Sequence, residues 1–180
     1  MLTIPLIMAE INQVMAAVDE NELTASLPYF AKTRRIFVAG AGRSGFQGQG
    51  FAMRLMHLGY PVFVVGETIT PAIRAGDLWI AISGSGTTKG IVAETLSAKK
   101  LGLTILVFTS AKDSPLAHLA DSVVVVPGAT KTGAGQASQQ LLSSLFDQTV
   151  HITLDALTLK LAQRDQTSNA DALGQHANVE

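Results

Sequence analysis

Leu78-Trp79-Ile80-Ala81-Ile82-Ser83-Gly84-Ser85-Gly86-Thr87-Thr88 is a strand that runs straight into a turn of small hydroxyl-bearing residues. The uninterrupted apolar run reads as a strand covered on both faces, as in a parallel sheet. The turn places bare main-chain N–H groups at the start of a helix, where the dipole favours an anion. It carries four hydroxyls, on Ser83, Ser85, Thr87 and Thr88, and no bulky side chain. A phosphate ester fits that chemistry. The same unit occurs earlier, where Ile36-Phe37-Val38-Ala39 meets Gly40-Ala41-Gly42-Arg43-Ser44-Gly45.

Three further runs, 61–65, 104–108 and 123–126, are short, β-branched and bounded by turns, giving five strands in all. Helical spacing is expected over 7–18, 22–31, 44–58, 88–101, 114–119 and 139–163, with Gly59 and Gly102 at C-cap positions. Alternating strands and helices imply an α/β fold, a three-layer α/β/α sandwich with a five-stranded parallel sheet of the Rossmann-like or flavodoxin-like kind. The whole of 1–180 is expected to form one domain. Two N-terminal helices fill 1–32, the sheet core 33–127, a loop and long helix 128–163, and a polar, loosely held tail 164–180.

Bulk properties exclude several function classes. The chain has 180 residues, 47% hydrophobic and 15% charged, enough for a substantial core and too apolar for disorder. A net charge of -1 without a basic block argues against a nucleic-acid partner. Cysteine is absent, so neither disulfides nor thiolate chemistry is available, in keeping with a cytoplasmic protein. The apolar run from Leu2 to Met8 is broken by Pro5, lacks a basic flank and soon meets Glu10, which makes a poor signal peptide. No stretch is long enough to span a bilayer, so no membrane partner is expected.

Neither glycine turn is a Walker motif, because no Lys-Ser/Thr pair follows at the required spacing. Gly40 to Gly45 does satisfy G-x-G-x-x-G, and Glu67 follows the next strand where a ribose-binding acid would sit. Against a dinucleotide, Arg43 and Ser44 would crowd a pyrophosphate, and the richer second turn would stand idle. Plain tight connections are the bland alternative for both turns. Ser83 and Ser85 read as phosphate ligands and not nucleophiles, since no base is spaced to activate them. No His/Asp/Glu grouping has metal-ligand spacing, and neither metal nor cofactor is expected.

The Ser-Gly-Ser-Gly-x-Thr pattern after a buried strand resembles the sugar isomerase (SIS) domain family, and within it the 6-phospho-3-hexuloisomerases. The resemblance runs over nearly the whole chain. It includes Ala39 to Gly45, Phe51-Ala52-Met53-Arg54-Leu55-Met56-His57-Leu58-Gly59, Val65-Gly66-Glu67-Thr68-Ile69-Thr70-Pro71, Asp113 to Ala117, Ser144-Leu145-Phe146 and the final His176-Ala177-Asn178-Val179-Glu180. It implies a SIS-type fold and a cofactor-free phosphosugar ketol isomerase that interconverts 3-hexulose 6-phosphate and fructose 6-phosphate through an enediol. It also implies a cytoplasmic homo-oligomer, expected to be a tetramer with sites at subunit contacts, in the ribulose monophosphate pathway. Ser44, Ser83, Ser85 and Thr88 would anchor the phosphate, with Gly84, Gly86 and Thr87 in the same turn and Arg43 and Lys131 as further contacts. The tail's match implies that His176 and Glu180 dock, into a neighbouring subunit's site or as interface packing. His57, near a helix C-terminus, reads either as a dipole-stabilised structural histidine or as a donor to the sugar oxygens or ring-opening acid.

The family's proposed base is a glutamate after Leu-Phe, and here that position is Asp147. The carboxylate is kept but retreats by about a bond length, and a misplacement of about 1 Å can cost around a hundredfold in rate. Thr87 stands where relatives carry glutamate. Gln140-Leu141-Leu142-Ser143-Ser144 lacks the family's Pro and Gly, so the long helix is expected to start earlier. These departures keep two other readings open: a non-catalytic phosphosugar-binding SIS module, and an isomerase of another sugar phosphate. His118 and His151 sit on unremarkable surfaces. Asp147, by contrast, lies in an apolar helical stretch where a carboxylate is either structurally paired or functional.

Overall fold

The computed structural model of the chain describes residues 2–131, 133 and 137–179. Five strands, Ile36–Gly40 (β1), Val62–Val64 (β2), Leu78–Ile82 (β3), Thr104–Thr109 (β4) and Ser122–Val125 (β5), form one parallel sheet in the order β2-β1-β3-β4-β5. The central strands are buried on both faces, which is why they read as unbroken apolar runs.

Alternate strand residues feed two cores. Ile36, Val38, Leu78, Ile80, Ile82, Leu106 and Phe108 face Thr3–Met15 (α1), Glu20–Ser26 (α2), Gly42–His57 (α3) and Ser144–Arg164 (α5). Phe37, Ala39, Trp79, Ala81, Ile105 and Val107 face the other way, onto Lys89–Lys100 (α4). Three layers result. On α5 the buried stripe is Leu145, Phe146, Val150, Leu154, Leu157 and Leu161, each contributing about 2 kcal/mol by leaving water.

Local chemistry shifts several expected boundaries. The first helix begins at Thr3 because Pro5 falls in its first turn, where a missing N–H costs nothing. The second ends at Ser26, and Pro28 converts the continuation into a 3-10 turn over Leu27–Tyr29. The expected helix at 114–119 is only the 3-10 turn Ala117–Leu119. The long helix starts later than expected, at Ser144. Leu142 stands at φ 56, a left-handed backbone that no α-helix accommodates, so 139–143 enter as irregular chain.

The tail carries a short helix. Asn169–Gly174 (α6) is opened by a capping box between Ser168 and Asp171, and His176 beyond it stacks on His57 of α3.

Candidate active site

The sheet order changes direction between β1 and β3, and ligands of open α/β sheets bind beyond the strand C-termini at such a point. Both glycine turns leave the sheet there. After β1, Gly42 takes φ 58 and opens α3, and Gly45 lies so close to the strand end that a Cβ would stand 2.8 Å from the Gly40 carbonyl oxygen. After β3, Gly86 takes φ 62 against Ser114, and Gly84 lies under Phe146, whose Cδ1 would be 2.9 Å from an added Cβ. Neither turn tolerates a side chain at those places, so the backbone itself forms the walls.

The resulting cleft joins Ser83, Gly84, Ser85 and Thr88 to Arg43 and Lys131. Neither Ala41 before α3 nor Thr88 before α4 makes a side-chain cap, so two helix N-termini meet the cleft uncapped. Thr88 Oγ1 is instead 3.1 Å from Ser83 Oγ. Ser85 Oγ accepts from Thr87 Oγ1 at 2.9 Å and from the Thr87 N–H at 3.3 Å, which leaves the Ser85 proton free to donate. The cleft thus offers two helix dipoles, hydroxyl donors and two cations to an oxyanion, the chemistry of a phosphate site.

Asp147 sits beneath this cleft, in the first turn of α5, and is fully buried. Its Oδ1 accepts from Ser44 Oγ at 2.8 Å and its Oδ2 from Ser143 Oγ at 3.1 Å. Arg43 Nε is 3.6 Å from Oδ2, while Arg43 Nη1 donates to Ser144 Oγ at 3.0 Å. The carboxylate therefore lies behind two serines of the wall and is not itself part of it. Helix α5 is held at this depth by Gly128, whose added Cβ would stand 2.7 Å from Phe146 Cα.

The two histidines lie elsewhere. His57 is on the last turn of α3, fourteen residues beyond Arg43, which at about 1.5 Å per residue is roughly 20 Å away. It is 6% exposed and stacks on His176 with ring centroids 5.3 Å apart. Burial, the His176 ring and Arg54 together push its pKa below the ordinary value. Within one chain, then, Arg43, Ser44, Ser83, Gly84, Ser85 and Thr88 line one cleft, with Gly86 and Thr87 in its turn, whereas His57 and His176 form a separate pair. Glu180 lies outside the described residues, as do 132, 134 and 135 of the glycine-rich loop.

Sequence reasoning did not single out Ser143 or Thr130, both in the cleft wall. Ser143 had a signal: a hydroxyl four residues before Asp147, at the N-cap of the long helix, is within reach of its side chain. It also did not find Glu10, whose carboxylate takes Ser138 Oγ at 2.7 Å, the Gln139 N–H at 2.8 Å and Gln140 Nε2 at 3.0 Å, tying the segment before α5 to α1.

Among known proteins, the SIS domain family matches residues 29–157. A 3-hexulose-6-phosphate isomerase of Mycobacterium gastri is 43% identical over 97% of this chain and 88% of its own length. One of Bacillus subtilis is 35% identical over 97% of this chain and 95% of its own. A crystal structure from Methanococcus jannaschii, from which the function of 3-hexulose-6-phosphate isomerase was inferred, superposes with a TM-score of 0.85 at 28% identity, covering 98% of both chains.

Proposed function

The chain belongs to the SIS domain family, and from that premise we propose that it is a phosphosugar isomerase that interconverts 3-hexulose 6-phosphate and fructose 6-phosphate. The observation that carries this reading is the Ser83–Thr88 turn, opening between two uncapped helix N-termini into a cleft with Arg43 and Lys131. Relatives of that activity align over almost the whole chain.

The reaction removes the proton from C2 of the 3-ketose, passes through an enediol and returns a proton to C3, leaving the carbonyl at C2. It requires a phosphate anchor, a base and donors for the enediolate oxygens. The anchor is Ser83, Ser85, Thr87 and Thr88 with the main chain at Gly84 and Gly86, assisted by Arg43 and Lys131. Proton transfer belongs to the imidazoles. Burial, His176 and Arg54 lower the His57 pKa and so favour the neutral ring, the form in which an imidazole can take up a proton.

Among the described residues, the cleft of one chain has neither imidazole nor carboxylate in its wall. In this reading the active species is a homo-oligomer, a tetramer in which the His57–His176 pair of one copy meets the cleft of another. Exposed apolar side chains on α3 and beyond β2 support this: Phe46 is 66%, Met53 47% and Ile69 81% exposed.

A coupled assay for fructose 6-phosphate tests the proposal. Turnover of freshly generated 3-hexulose 6-phosphate is expected, with Ser85→Ala raising KM about tenfold, the worth of one charge-assisted hydrogen bond. Saturable phosphosugar binding without turnover would make the chain a binding module instead.

A further inference from the structure

A carboxylate accepts hydrogen bonds and donates none. The bonds from Ser44 Oγ and Ser143 Oγ to Asp147 therefore commit both hydroxyl protons to the buried carboxylate. Both serines line the cleft, and what they turn towards a ligand is oxygen lone pairs. Such groups recognise a donor, and a phosphate dianion has none. The turn after β3 has the reverse polarity, because the Ser85 proton is uncommitted, and Lys131 adds a cation to the cleft. Arg43 lies on the serines' own side, 3.6 Å from Asp147. The cleft thus offers a donor at Ser85 suited to phosphate and acceptors at Ser44 and Ser143 suited to sugar hydroxyls.

We propose that Asp147 is a positioning residue that fixes Ser44 and Ser143 as acceptors for substrate hydroxyls, and not the group that takes the proton from carbon. The assignment rests on the phosphosugar isomerase reading and adds to it the means by which the polyol is told apart from bare phosphate. Asp147 is fully buried and both its oxygens are occupied, so substrate carbon does not reach it without breaking those bonds. Arg43 offsets its charge from 3.6 Å, which keeps a buried anion from repelling the phosphate. The aspartate reaches both serines from below, one with each oxygen.

The test compares the affinities of inorganic phosphate and fructose 6-phosphate by calorimetry, for wild type, Asp147→Asn, Ser44→Ala and the double variant. Asparagine keeps the shape but donates from one side, so one serine must reverse. The preference for fructose 6-phosphate over phosphate is expected to fall about tenfold in Asp147→Asn and similarly in Ser44→Ala. The double variant should lose little more than either alone, because the two residues act through one hydrogen bond. Solvent deuterium exchange into bound sugar should persist in Asp147→Asn, with the loss falling on KM more than on kcat. An unchanged preference combined with abolished exchange would overturn the assignment and make Asp147 the base. Equal loss of both ligands with a lowered unfolding temperature would overturn it in favour of a purely structural carboxylate. Wild type that discriminates the ligands but never turns over would sink the isomerase reading alone, and the preference would still decide the role of Asp147.

Discussion

At the scale of single residues, the two strand–turn–helix units depend on positions with no room for a side chain. Gly86 combines a positive φ with a Cβ direction that overlaps Ser114. Gly86→Ala is expected to cost roughly 2 kcal/mol or more from overpacking and strain. Urea unfolding would read that loss, and phosphate affinity should fall with it. Gly50→Ala, inside α3, has nothing within 4 Å of the new methyl and should instead stabilise by roughly 0.5–1 kcal/mol, the contrast that isolates crowding at Gly86. The turn residues were legible in the sequence because their chemistry is local: glycines and hydroxyls within six positions state the backbone conformation and the groups that line the cleft. The partners of Asp147 were not. Ser44 is 103 residues away, and no local pattern announces that its hydroxyl proton points down to a helix and not into the cleft. The same distance hid the clamp of Glu10 on the segment before α5.

At the scale of elements, the joint between α3 and the C-terminal segment is the most condition-sensitive. Between its depressed folded value and its ordinary 6.5, His57 is neutral in the folded chain and protonated in the unfolded one. The stability it contributes is complete above about pH 6.5 and is lost as the pH falls through the folded value. Burial first, then the His176 ring and Arg54 on α3, set this response, and Lys32, Asp165 and Asp171 line the same hollow. Protection factors of the α6 amides, corrected for intrinsic exchange, should fall from pH 7.5 to 5, and His57→Gln should flatten the dependence; protection factors that do not change with pH would refute it. A second joint closes α5. Arg164 donates to Tyr60 Oη at 2.7 Å and to the Leu27 carbonyl at 2.6 Å, while the Tyr60 hydroxyl bonds Asp165. Burial, with the Asp165 carboxylate, pushes the Tyr60 pKa far above its ordinary range, so the phenol remains a donor at every working pH. Tyr60→Phe is expected to destabilise by about 1–3 kcal/mol, measured by chemical unfolding, through the unpaired groups it leaves behind. The central strands were readable because double-sided burial makes them plain apolar runs, whereas β2 and β5 at the edges are only half-buried and were marked by their β-branched residues. Helix α6 was not, since six residues in a polar tail carry too short a pattern, although Ser168 and Asp171 spelled its capping box. Nor did composition foretell the left-handed Leu142 that delays α5.

At the scale of the whole molecule, the sheet order and the two cores place the Ser83–Thr88 cleft at one end of α3 and the imidazoles at the other. A lone chain cannot bring them together along a rigid helix, so activity and assembly should rise and fall together. Sedimentation of wild type is expected at a multiple of 18.9 kDa, and Met53→Glu, on the exposed face of α3, should yield monomer with turnover reduced at least a hundredfold. A fully active monomer would refute the shared site. The central claim, isomerisation through an enediol at this cleft, is tested most directly by supplying 3-hexulose 6-phosphate to the wild-type protein in deuterated water and following the carbon spectrum. The account predicts fructose 6-phosphate carrying deuterium at C3. Saturable binding of the substrate with no fructose 6-phosphate formed would contradict it.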